Sequence, residues 1–289
     1  MTNTHPLRGI ALMLAAVSMF SCLDATSKYL AALYAIPTIV WARYVSQMLL
    51  MVVALGPRLR MGLLRTSNLK LQLVRGAVLT GSSLLFLTAL SRMPLAEAAS
   101  IAFMAPLFIA VLSGPVLHER VERRTWISLA AGFVGVLLIV RPGGGLFSWA
   151  SLLPLGSALC MAVYQMMTRR LATRDPALTT LFYPALVGSL AVPLAFPLAL
   201  DLPREPLHLA MFFALGIMGG IGHFLLIRAH YHAPPSTLGP FMYGQLLTAL
   251  ALGWLVFGQL PDGLAVVGMV TITASGLVLA MTHRGSAVR

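Results

Sequence analysis

Residues 89–119 read ALSRMPLAEAASIAFMAPLFIAVLSGPVLHE, and residues 229–259 read AHYHAPPSTLGPFMYGQLLTALALGWLVFGQ. Laid over one another at a shift of 140, Pro94 meets Pro234, Phe103 meets Tyr243, Leu107 meets Leu247 and Glu119 meets Gln259. Each stretch opens on proline and runs apolar for the roughly 20 residues that a membrane-crossing helix needs. The match extends outward. Gly76 meets Gly216 upstream, and with one extra residue Gly135-Val-Leu-Leu meets Gly276-Leu-Val-Leu and Leu30-Ala31 meets Leu171-Ala172.

The composition of the 289 residues agrees: 58% are hydrophobic, 10% are charged, and the mean hydropathy is +0.88. A soluble domain carries about 25% charged residues, so a soluble enzyme is excluded. Disorder is excluded because it needs low hydrophobicity. Two cysteines, Cys22 and Cys160, exclude a disulfide scaffold. The apolar runs are too long and too little alternating for transmembrane β-strands. The expectation is an all-α polytopic membrane protein with ten spans near 9–31, 37–56, 71–91, 95–117, 125–141, 149–171, 178–200, 207–230, 236–257 and 262–282.

The net charge of +12 would suggest nucleic acid in a soluble protein. Here it sorts by side. Both termini and the loops on their side, counting Arg75 to the loop between spans 2 and 3, hold 15 Lys and Arg; the other side holds 4, and Arg43 lies inside a span. Cytoplasmic loops collect Lys and Arg, so both termini are expected in the cytoplasm and no nucleic-acid partner is implied. The first span contains Asp24 and Lys28 and leads into further spans, which is not the pattern of a cleaved signal peptide.

Five spans, a basic loop and five spans make two copies, 1–145 and 146–289. A unit with an odd number of spans inserts its second copy upside down. This gives an inverted-topology repeat around a central cavity, as secondary transporters use for alternating access.

At this point the chain resembles the drug/metabolite transporter superfamily, in its EamA-type family. The resemblance rests on the stretch from Ala89 to Glu119 and its recurrence from Ala229 to Gln259, and on the glycine-rich closing helices Gly132–Gly135 and Gly268–Gly276. It covers nearly the whole chain, and among such families it is nearest to the YddG-like amino-acid exporters. It implies a ten-helix bundle, a cavity lined by spans 1, 3, 4, 6, 8 and 9, and export of small metabolites. The second copy departs from the first in having Gln259 where Glu119 stands.

Ionisable groups inside a membrane mark a function or a pair. Asp24 and Lys28 share a helix face, four residues apart. They are read either as a neutralised pair with Lys28 snorkelling outward or, with Arg43 and Glu97, as an outer gate or a coupling site for a substrate's charged ends. Ser82, Ser83, Phe103, Met104, Tyr164, Gln165, His223, Tyr243 and Gln245 are the expected cavity lining: neutral polar groups beside aromatics suit a zwitterionic or apolar-tailed substrate. His223 can bind a carboxylate, carry a proton, or simply pack. Pro106 can kink span 4. Gly219, Gly220 and Gly222 either let span 8 bend or permit close helix approach.

The chain has no nucleotide-binding loop, no metal-spaced His/Cys cluster and no nucleophile elbow. No enzyme activity, cofactor, metal or protein partner is expected. The expected function is export of amino acids or similar small metabolites across a bacterial inner membrane. The alternatives are a phosphorylated or larger cargo, such as a nucleotide sugar or lipid carrier, or an intramembrane lipid-modifying enzyme.

Overall fold

The computed structural model describes residues 6–59, 64–117, 123–140, 149–171, 174–197, 202–233, 238 and 241–286. Glu119 and the expected boundary at 145 lie outside the described residues. Among the described residues the chain is helical, with no strand. Its helices are α1 (Pro6–Ala31), α2 (Ile36–Leu59), α3 (Leu69–Leu90), α4 (Leu95–Ala102), α5 (Ala105–Leu117), α6 (Arg123–Val140), α7 (Leu152–Leu171), α8 (Ala177–Ala195), α9 (Pro206–His232), α10 (Gly244–Phe257) and α11 (Gly263–Ser286). Among the described residues, seven segments are long and apolar enough to cross a membrane, α4 and α5 together supplying one. Three shorter apolar helices span 126–140, 244–257 and 263–278. Apolar side chains lie on the outside: Val53 is 74% exposed, Leu255 70% and Phe224 61%. Exposure on this scale suits lipid, not water.

The fourth span is not the single helix expected. The chain turns at Phe103 and Met104 between α4 and α5. Pro106 has no N–H for the carbonyl of Ala102, so the helix breaks just before it. The chain turns again at Tyr243, just before α10. The two turn residues stack: the Phe103 and Tyr243 rings lie 5.0 Å apart at 32°.

Other ends have local causes. Asn68 caps α3 by accepting the N–H of Leu71 at 2.9 Å. Gly258, at φ +63°, stops α10 in the left-handed conformation that glycine adopts without strain.

The helices pair in a reciprocal pattern. α1 packs on α9 and α10, while α7 packs on α3, α4 and α5. α2 packs on α9, and α8 packs on α3. α2 also meets α8, and α6 meets α11.

Glycine sets several of these approaches. A side chain at Gly76 would strike Val187, and one at Gly216 would strike Ser46 and the backbone of Gln47. α9 runs unbroken through Gly219, Gly220 and Gly222. Gly220 faces Leu50 and Gly222 faces Phe20, so both stand where neighbouring side chains approach α9 closely.

Candidate substrate cavity

Asp24 sits on α1, Arg43 on α2 and Ser83 on α3, and all three line one small pocket, with room for about one water, together with Ser27 and an apolar wall that includes Ile39, Phe86 and Leu90. Its lining comes from three helices of the first half. The second half reaches it from α10, where the Gln245 side-chain amide donates to Asp24 Oδ2 at 3.4 Å. Two more bonds fasten α10 to α1: Ser21 donates to the Gln245 carbonyl at 3.0 Å, and the Ser18 and Thr248 hydroxyls meet at 3.2 Å.

Asp24 is only 9% exposed. Arg43 acts on its charge without forming an ion pair with it. The buried Nε of Arg43 has no hydrogen-bond partner. An acidic and a basic side chain thus face one space without an ion pair between them. The Ser83 hydroxyl meets the Tyr44 hydroxyl at 2.8 Å on the same wall. His223 lies within electrostatic reach of Arg43 and packs edge-on against Phe20 at 5.0 Å.

Several expected residues lie elsewhere. Lys28 does not pair with Asp24, and it does not snorkel. Its ammonium donates to the carbonyls of Leu90 and Met93, both at 2.6 Å. The carbonyl of Leu90 ends α3 without a helical partner, at the negative end of its dipole, and that of Met93 lies in the turn that follows, so a buried cation satisfies both. Glu97 acts on Lys28 from the first turn of α4, so the expected cluster of Asp24, Arg43 and Glu97 splits into two sites. Lys28→Met is expected to destabilise the fold by about 1–3 kcal/mol per orphaned carbonyl. Thermal unfolding in detergent reads this directly; an unchanged midpoint would remove Lys28 as a cap.

Ser82 is buried against Ser157, the two hydroxyls 2.9 Å apart, in the α3–α7 seam. Met104 is fully buried in the core beside Ile272 and Leu107. Tyr164 lies under the Arg75 guanidinium, 4.9 Å from it, and Gln165 is exposed. None of these four lines the cavity.

Arg75 corrects the charge count made from sequence. It is not a loop residue: its side chain is fully buried within α3. It donates to Thr168 Oγ1 at 2.9 Å and to the carbonyl of Thr180.

One turn before it, Gln72 donates to Asp175 Oδ2 at 2.8 Å, where Thr66 donates as well, and the Ser67 N–H donates to Oδ1 at 2.8 Å. Sequence reading missed this cluster. The signal was there in Gln72 and Arg75, three apart on one helix face.

Asp175 lies between α7 and α8. Burial raises its pKa, but the donors Thr66, Ser67 and Gln72 outweigh that and bring it down from 3.8 to about 2. The folded value lies below the unfolded one. Its contribution is therefore complete above about pH 4 and fades as the pH falls toward about 2. Asp175→Asn is expected to lower the unfolding midpoint by the same amount throughout roughly pH 5–8. A difference that changes across that range would contradict the assignment.

The model of the EamA-like transporter family matches the chain twice, over residues 7–141 and 148–281. A riboflavin transporter of Vibrio cholerae is 29% identical over 94% of this chain and 92% of its own length. An S-adenosylmethionine uptake transporter of Rickettsia prowazekii is 25% identical over 97% of this chain and 95% of its own length. A pseudopaline exporter of Pseudomonas aeruginosa is 28% identical over 74% of this chain and 75% of its own length. A crystal structure of another protein superposes with a TM-score of 0.63 at 18% identity, covering 96% of this chain and 97% of that one. At that identity the likeness speaks for the fold alone.

Proposed function

Since the chain belongs to the EamA-like transporter family and is a multi-pass membrane transporter, not an enzyme, we propose that it exports amino acids or similar small metabolites across the bacterial inner membrane by alternating access. The observation that carries the substrate class is the pair Asp24 and Arg43, opposite charges facing one cavity without an ion pair between them. An α-amino acid brings both complements: its carboxylate for Arg43 and its ammonium for Asp24. The pocket as it stands holds about one water, so the amino acid enters when the cavity opens, and the apolar wall then takes the side chain. Phosphorylated cargo is disfavoured, because Arg43 is the one cation among the cavity-lining residues and a phosphate wants several.

The mechanism rests on ten spans in two inverted five-span repeats, 1–145 and 146–289. Two family matches of similar length support this layout. So does the reciprocal packing, in which α1 on α9 mirrors α7 on α3 and the contact of Gly76 with Val187 mirrors that of Gly216 with Ser46. The equivalent turn residues Phe103 and Tyr243 stack on one another, as residues beside a two-fold axis do. The basic loops support cytoplasmic termini.

The test is uptake into proteoliposomes across neutral and aromatic amino acids, with and without a pH gradient. Saturable uptake is the expected result. No uptake above empty liposomes for the whole panel, from folded protein, would overturn the amino-acid reading.

A second reading is favoured by the relative that takes up S-adenosylmethionine. That molecule carries the same amino-carboxylate end on a larger body, so the panel includes it, with riboflavin as the cargo that lacks that end.

A further inference from the structure

The repeat relation has a counterpart at the two ends of the bundle. A shift of 141 carries Tyr34, at the α1–α2 corner, onto Asp175, at the α7–α8 corner. A shift of 140 carries Gln72 of α3 onto Phe212 of α9, and Asn68 onto His208. The structure joins each corner to the matching helix. At one end Asp175 accepts from Gln72 and from Thr66 and Ser67 just before α3. At the other the Tyr34 hydroxyl meets His208 Nδ1 at 2.8 Å, and its ring packs edge-on against His208 at 5.6 Å and Phe212 at 5.2 Å. His208 is held in turn by Glu205 at 3.5 Å.

We propose that these are the transporter's two gates: Asp175 with Gln72 at the inner end, and Tyr34 with His208 and Phe212 at the outer end. Each joins the corner of one helical hairpin to the start of a helix in the other half of the chain. Releasing one lets that corner swing away while the other stays shut. The chemistry differs between the ends. The inner gate is a carboxylate with several donors, and the same seam is reinforced by Arg75 on Thr168 and by Ser82 on Ser157. The outer gate is a tyrosine–histidine hydrogen bond within an aromatic cluster. Both are engaged in this structure, with the small cavity between them. The names inner and outer rest on the orientation proposed above; the gates themselves do not.

The test is side-specific labelling. A Ser27→Cys reporter in the cavity wall is built into a chain with Cys22→Ala and Cys160→Ala. A membrane-impermeant maleimide is applied to right-side-out and inside-out vesicles. Asp175→Ala is expected to speed labelling from the cytoplasmic face about tenfold, a shift of about 1.4 kcal/mol in the open–closed balance. Tyr34→Ala does the same from the opposite face. Asp175→Asn and Tyr34→Phe give smaller shifts in the same directions, and they stand in if an alanine variant does not fold.

If the faces are exchanged, the gates stand and the proposed orientation falls. If folded variants label like the parent from both faces, or both open the same face, the gates are overturned. The readout needs no substrate, so it is independent of the amino-acid assignment.

Discussion

Arg43→Gln is expected to cut kcat/KM for a transported amino acid by about 100-fold or more. Removing one member of a buried charged contact costs about 2–5 kcal/mol, and 1.4 kcal/mol is tenfold. The size follows from position. Arg43 lines the cavity, and its Nε has no hydrogen-bond partner, which leaves it open to a carboxylate there. Glutamine keeps most of the side chain's length but gives up the charge and the paired donors that a carboxylate needs. The informative comparison is between an amino acid and the amine that lacks its carboxylate. The parent is expected to prefer the amino acid strongly, and Arg43→Gln to erase most of that preference. Arg43→Lys keeps the charge without the planar fork and is expected to fall between. Asp24→Asn gives the mirror image, hurting ammonium-bearing cargo while Arg43 still holds the carboxylate. Radiolabelled uptake into proteoliposomes measures all of these. Equal loss for amine and amino acid would make Arg43 a structural residue and not a binding one.

The helical bundle was legible because its signals are long and additive. Apolar runs, prolines and glycines each recur along the chain, and membrane solvation leaves helices few alternatives. The break in the fourth span was legible as a possible kink, since Pro106 lacks an N–H. That a second turn falls at Tyr243 was foreshadowed only by its alignment with Phe103.

The site was half legible. Asp24 and Arg43 stood out because charge inside a span is costly. Their relation to Lys28 did not, because spacing on one helix ignores what the next helix offers. Lys28 and Asp24 are four apart, yet the ammonium is held by the carbonyls of Leu90, at the end of α3, and Met93, in the turn after it. Arg75 was misread for a related reason. A charge near a span's end looks like a loop residue until the structure supplies Thr168, the Thr180 carbonyl and the Tyr164 ring to bury it. Ser82 and Met104 were assigned to the cavity by residue type, whereas the direction each faces is set by packing against α7 and α6.

A large loss of stability is also expected from Gly268→Leu. Gly135 and Gly268 bring the backbones of α6 and α11 together reciprocally. A Cβ on Gly135 would lie 2.7 Å from the Gly268 carbonyl oxygen, and one on Gly268 would lie 2.6 Å from the Gly135 carbonyl oxygen. The obstacles are backbone atoms, which cannot rotate away as a side chain would. The helices must separate instead, along a seam that also buries Val136, Ile139 and Ile272. In lipid, such helices are held by close van der Waals contact and not by expulsion of water, so separation removes the attraction itself. Overpacking of this kind costs about 1–3 kcal/mol, and the rigidity of the backbone puts Gly268→Leu at the upper end. A fall of roughly 5–10 °C in the unfolding midpoint is expected.

Gly81→Ala provides the control. A Cβ there meets nothing within 4 Å, and alanine favours a helix over glycine by about 1 kcal/mol, so the midpoint should rise. If both variants shift the midpoint the same way, helix propensity and not seam geometry governs the glycines, and the close approach of α6 and α11 would not be what fixes the bundle.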